Sequence, residues 1–291
     1  MIDILYNTSL PFATIALVAF TIYTFKRSNQ IFAIATLASL IAFLCLTFLL
    51  PVMVFTSESG FFMQAAIRDV LYAWVIMAIY FVAEFKYRIR LLGSILMPMA
   101  VILLLLAIFE ERHEKVVNTV DLSTIPTFIH VTLILVSTGL IFLASSAALL
   151  YLVKRRALKR HQEAALDADL PAITTLKQIM RNSFQVAFPI YTMGVILGAI
   201  YAGATLAPGW LFSPFILIAG FVWLLQAWLF YMQQVGKASS LVTARVLIVL
   251  LIMMISLAAF SKHREMLKKR DAATPSHAVG QPALDQSEGA A

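Results

Sequence analysis

Charge is scarce in this sequence. Asp, Glu, Lys and Arg together make up 13% of its 291 residues, while 61% are hydrophobic. A soluble globular chain carries about 25% charged residues, so the composition excludes an ordinary soluble domain. Cysteine is scarcer still: Cys45 stands alone inside an apolar run, which excludes an intramolecular disulfide and a thiolate metal cluster. No glycine-rich phosphate loop, dinucleotide-binding turn or HExxH metal helix is present. Paired carboxylates inside apolar runs, which would suggest a proton relay, are missing too. So are the polar, interrupted helices of a transporter site. The net charge of +7 requires no nucleic-acid partner, because basic loops that hold a membrane protein's orientation account for it.

What the sequence has is long hydrophobic runs. Residues 184–228 contain no Asp, Glu, Lys, Arg or His. A span needs about 20 apolar residues, so this run crosses a bilayer twice. The break falls at Ala207-Pro208-Gly209-Trp210, a turn signal followed by an interface-seeking aromatic. Gly194, Gly198 and Ala202 recur every four residues in the first crossing and form a small-residue face that admits another helix closely.

Applied along the chain, the same reading predicts an all-α, polytopic integral membrane protein with eight spans. They lie near residues 5–25, 31–54, 66–84, 91–109, 125–153, the pair within 184–228, and 241–260. The first run lacks a basic segment before it and reads as a retained span, not a cleaved signal. Three regions follow. Residues 1–125 form a four-span region with a charged outer loop at 110–124, and residues 126–260 form a second membrane core with a basic connector at 154–181. Residues 261–291 are a polar tail whose last part has a disordered composition. Lys26, Arg27, Lys86, Arg88, Arg90, Lys237, Arg245 and the cations of 154–181 fall on one side; Arg68, Arg112 and Lys115 fall on the other. The positive-inside rule therefore places both termini on the outer side of a bacterial inner membrane, although the basic start of the tail opposes that orientation.

With that orientation, His130, His263, Arg68, Asp69, His113 and the Pro208-Gly209-Trp210 turn gather at the outer face. Two neutral imidazoles from different helices suit the two axial positions of a haem iron, and an arginine can pair with a propionate. His130 and His263 are the candidate iron ligands, with Arg68 and Trp210 as candidate neighbours. Each has a plainer reading. A histidine near a helix end bonds to water or backbone, Arg68 snorkels to the interface, and Trp210 anchors the turn at the headgroups. Adjacent in a helix, Arg68 and Asp69 point about 100° apart and find separate partners. Trp74, Trp223 and Trp228 read as packing or belt residues, and Glu84 with Lys86 and Arg88 as an interfacial charge cluster.

Two stretches carry a resemblance. IHVTLILVSTGLIFLA from Ile129, followed by LLYLVKRR from Leu149, resembles the histidine-bearing span of the cytochrome c assembly family (CcsA/CcmC/ResC type). FPIYTMGVILGAIYA from Phe188 resembles the span that leads into that family's tryptophan-rich WWD loop. The likeness covers 126–260; the first four spans match only in number and hydrophobicity. It implies haem handling at the outer face, with His130 on the first of the family's flanking histidines and His263 near the second. The WWD loop falls on 204–213, where only Trp210 remains and no WxWD or acidic residue is present. That departure is shared with the WWD-lacking, HemX- and YpjD-like subgroup.

The expected function is that of a haem-related accessory protein in the bilayer, not an enzyme, with haem as cofactor. Other cytochrome c maturation proteins or a haem-biosynthetic enzyme are its expected partners. The alternative is a regulator or scaffold of haem biosynthesis that binds no haem and acts through the 154–181 connector. A small-solute transporter has least support. The orientation is directly testable. A fluorescent reporter that matures only in the cytoplasm, fused after Lys159, is expected to glow; an extracytoplasmic location for that fusion overturns the assignment.

Overall fold

A computed structural model describes residues 2–56, 65–111, 125–159, 171–205 and 209–273. Among these residues the protein is all-helical. Its eight α-helices are α1 (Ile2–Lys26), α2 (Asn29–Thr56), α3 (Ala65–Tyr87), α4 (Leu92–Glu111), α5 (Ile125–Lys159), α6 (Ile173–Thr205), α7 (Pro214–Gln234) and α8 (Ser240–Ala273). Seven are long and apolar enough to cross a membrane, and α4 contributes a shorter apolar stretch, Leu92–Ile108. Helices satisfy their own backbone groups, which hydrocarbon demands of any spanning segment.

Consecutive helices run up and down in two closed sets. In the first, α1 packs on α2 and α4, and α3 on both α2 and α4. In the second, α5 packs on α6 and α8, and α7 on both α6 and α8. Contacts of α5 with α3 and α4 join the sets. The packed faces are built from small residues. Ala13, Ala16 and Ala19 of α1 and Ala35, Ala38 and Ala42 of α2 are buried. So are Ala144, Ser145, Ala147 and Ala148 of α5. The opposite faces expose Ile15, Val18, Ile22, Leu37, Leu44 and Phe48. Lipid is as apolar as leucine, so helices here associate through close packing, not by hiding hydrophobic surface.

The Lys/Arg-bearing turns lie at one end of the bundle, here called the basic end. Two of them close alike. Arg27 and Arg88 adopt left-handed backbone at φ 50° and 51°, and their N–H groups donate to the carbonyls of Tyr23 (2.9 Å) and Glu84 (2.8 Å). At that end α5 and α6 outgrow the bilayer. They are 35 and 33 residues long, or about 50 Å each at 1.5 Å per residue, against about 30 Å of hydrocarbon. Lys154 Nζ donates to the Pro171 carbonyl (2.8 Å) and ties the end of α5 to the start of α6. The connector expected at 154–181 is thus helical at both ends, while its middle lies outside the described residues.

α8 differs from expectation. It does not stop where the apolar run stops, near 260, but continues through the basic segment to Ala273. Lys, Arg, Met, Leu, Glu and Ala are all good helix formers and no Gly or Pro intervenes, so losing hydrophobicity does not end the helix. The rest of the tail lies outside the described residues.

The first set is held at its centre by Phe20. Its ring meets Tyr80 edge-on at 5.5 Å and Phe32 at 6.2 Å. It also fills the space where Gly93 lacks a side chain: a Cβ there would stand 2.6 Å from the ring. Thr24 and Ser94 hydroxyls bond alongside at 2.8 Å. Gly93→Ala is therefore expected to cost about 1–3 kcal/mol through overpacking, measured by unfolding in detergent. Phe20→Leu in the same chain should recover part of that loss. A neutral Gly93→Ala would show that α1 and α4 do not meet this way.

Candidate site where α5 meets α6

Opposite the basic end, α5 and α6 cross closely, and the notch that admits α5 is the small-residue face read from the sequence. A Cβ on Gly194 would lie 2.8 Å from Ile134 Cδ1, and one on Gly198 would lie 2.5 Å from the His130 ring. His130 and Ile134 are one turn apart on α5, and each fills the gap left by one glycine of α6.

The imidazole is fixed by one bond: His130 Nδ1 lies 2.7 Å from the Gly194 carbonyl oxygen. A carbonyl can only accept, so Nδ1 carries the proton and donates. In the neutral ring Nε2 then holds the free lone pair. Among the described residues Nε2 has no hydrogen-bond partner, and it is not one of the fully enclosed atoms. This is the arrangement of a metal-binding histidine. The nitrogen away from the metal donates to a carbonyl, which fixes the tautomer and the ring plane. The same bond also offsets the cost of placing a polar ring in an apolar span.

The other expected site residues are placed less fully. Arg68 is half-exposed in the first turn of α3, and its neighbour Asp69 is buried; both lie at the same end of the bundle as His130. Trp210 opens a 3-10 turn, Trp210–Phe212, between α6 and α7. That turn follows Gly209 at φ 94°. It closes with Phe212 N–H donating to the Gly209 carbonyl (3.0 Å) and Ser213 capping α7. Ala207, Pro208 and the Trp210 side chain are outside the description. His263 belongs to the extension of α8, its side chain likewise outside, and His113 is not among the described residues. The structure thus brings His130 together with Gly194 and Gly198, and puts the backbones of Arg68 and Trp210 at the same end. No group of three or more His, Cys, Asp or Glu that could hold a metal ion occurs among the described residues.

The remaining tryptophans have other duties. Trp74 donates to Thr47 (2.9 Å) and stacks on Phe43. Trp223 donates to Thr192 of α6 (3.1 Å). Trp228 is exposed on the lipid face. Sequence reasoning passed over Gln226 and Gln233, two buried amides on one stripe of α7 with no hydrogen-bond partner among the described residues. Glutamines seven apart in an apolar span are a legible signal, since polar groups at membrane depth are costly.

Residues 68–264 match the family model described as Cytochrome C assembly protein. The chain belongs to that family. The match starts in α3, so family character extends well before residue 126, where the resemblance in the sequence begins. Among curated proteins, this chain is similar to cytochrome c biogenesis protein CcsA of Guillardia theta, at 24% identity over 70% of this chain and 73% of that protein. It is also similar to the CcsA of Trieres chinensis, at 23% identity over 73% of this chain and 80% of that protein. No solved structure matches.

The packing of His130 on α6 can be tested without any ligand. Gly198→Ala is expected to destabilise the protein by about 1–3 kcal/mol. In a His130→Ala background the same change should cost almost nothing, a coupling that a double-mutant cycle reads directly. Equal penalties in both backgrounds would separate the ring from Gly198.

Proposed function

We propose that this protein is a haem-handling accessory factor of cytochrome c maturation, in which His130 offers Nε2 as an iron ligand at the outer face of the membrane. The observation that carries the reading is the Nδ1–H bond to the Gly194 carbonyl at 2.7 Å. It fixes the tautomer and leaves the ligating nitrogen free. Family membership supports the same reading, as do relatives named for cytochrome c biogenesis. Bound haem would supply an iron centre. His130 and His263 would hold the iron, Arg68 would pair with a propionate, and Trp210 would lie beside the ring. The role is one of binding and presentation, not catalysis, in a bacterial inner membrane with both termini outside.

A second reading has its own support. Residues 204–213 keep one tryptophan, Trp210, and no WWD motif, which fits the WWD-lacking, HemX- and YpjD-like subgroup. α5 and α6 also project beyond the bilayer at the basic end, offering Arg155, Arg156, Lys159, Lys177 and Arg181 to a partner. In this reading the protein scaffolds a haem-biosynthetic enzyme and binds no haem.

A visible spectrum separates the two. Full-length protein purified in detergent and titrated with haem is expected to show a Soret band shifted and sharpened relative to free haem in the same detergent. His130→Ala should abolish that shift while the helical content is unchanged. Folded protein under saturating haem whose spectrum matches that of free haem would sink the first reading and leave the second.

A further inference from the structure

Away from the histidine, α3, α5 and α6 enclose a cleft of about 390 Å³. One wall is α3 from Trp74 to Tyr87; Val136, Leu140 and Leu143 of α5 and Val186 of α6 face it. The wall along α3 spans fourteen residues, or about 20 Å. Half of a hydrocarbon core is about 15 Å, so the cleft runs the depth of one leaflet from the basic end inward. Val82 and Val186 on its lip are exposed, so it opens sideways to lipid. Its apolar length ends in a polar mouth made by Lys86, Asn182 and Ser183. The Lys86 ammonium lies over the Tyr87 ring at 5.5 Å, and among the described residues no Asp or Glu lines the cleft.

We propose that this cleft is a binding site for one anionic phospholipid of the leaflet at the basic end, with its phosphate against Lys86 and one acyl chain along the apolar wall. The cleft is too narrow to take a partner helix whole, since a cylinder about 10 Å wide and about 20 Å long occupies on the order of 1,500 Å³, whereas a single acyl chain lies along its wall. The charge selects the headgroup. A lone cation at the mouth, with an amide and a hydroxyl beside it, complements a phosphate that carries net negative charge. The carbonyl of an uncharged isoprenoid quinone would accept a hydrogen bond from the ammonium but would leave its charge unbalanced. Because the walls belong to α3 on one side and α5 and α6 on the other, the lipid would bridge the two helix sets where they meet, next to the Gly139–Ile79 contact.

The test is native mass spectrometry of the full-length, delipidated protein, titrated with phosphatidylglycerol or phosphatidylcholine of matched chains. The first phosphatidylglycerol is expected to bind at least fivefold tighter than phosphatidylcholine. Lys86→Ala should remove about a fivefold preference, and Val82→Trp, across the lip, should weaken the first binding event for both lipids. Arg245→Ala, at the same end but outside the cleft, should behave as wild type. No headgroup preference, a preference that survives Lys86→Ala, or an equal loss in Arg245→Ala overturns the proposal. Displacement of the bound phosphatidylglycerol by an isoprenoid quinone overturns it as well. Lys86 is exposed, so its variant folds and keeps the test decisive even where Val82→Trp does not.

Discussion

The bond between His130 and the Gly194 carbonyl depends on how closely α5 and α6 approach, and that approach depends on two missing side chains. A membrane helix gains nothing by hiding leucine from lipid, so contact must come from surfaces that fit. Gly194 and Gly198 remove the obstacle, while Ile134 and His130 supply the protrusions. The bond at 2.7 Å is possible only because the ring is already pressed against α6 backbone. Packing therefore sets the chemistry: it determines which nitrogen holds the proton and which one stays available.

Much of the fold was legible because the bilayer imposes a simple rule on every segment. A hydrophobic run of sufficient length must be a helix, and an even number of helices returns the chain to its starting side. The hairpin at Gly209 was readable for the same reason, since a run of 45 uncharged residues cannot cross once. Hydropathy failed at α8, where it reports the solvent around the helix and not the backbone within it. Lys262 to Arg270 are polar but form helix readily, and the helix runs on to Ala273.

The site was legible by residue type but not by partner. An imidazole in an apolar span and a Gly-xxx-Gly face both stand out in the sequence, and each was singled out for its own reason. Nothing in the sequence joins them. Periodicity shows which face of α6 is small, but not which helix rests there. The acceptor for His130 is a backbone carbonyl, a group that every residue possesses. The cleft beside Lys86 was invisible for a related reason. A groove lies between helices, and its lining residues come from three of them, each with an ordinary apolar composition.

The two ends of the bundle thus differ in physical character. At the end of His130, a polar group is held inside the packing by a backbone acceptor and two glycines. At the basic end, long helices leave the bilayer and cations stand at its surface, and a groove the depth of one leaflet begins at Lys86. Among the described residues, α5 and α6 take part in both arrangements: they close around His130 at one end and wall the cleft at the other. A change that tilts α5 against α6 must then alter both. Opening the groove would strain the glycine contact, and lifting the ring from Gly198 would shift the wall formed by Val136, Leu140 and Leu143. Close packing makes such coupling unavoidable, because surfaces that interlock have few arrangements of similar energy.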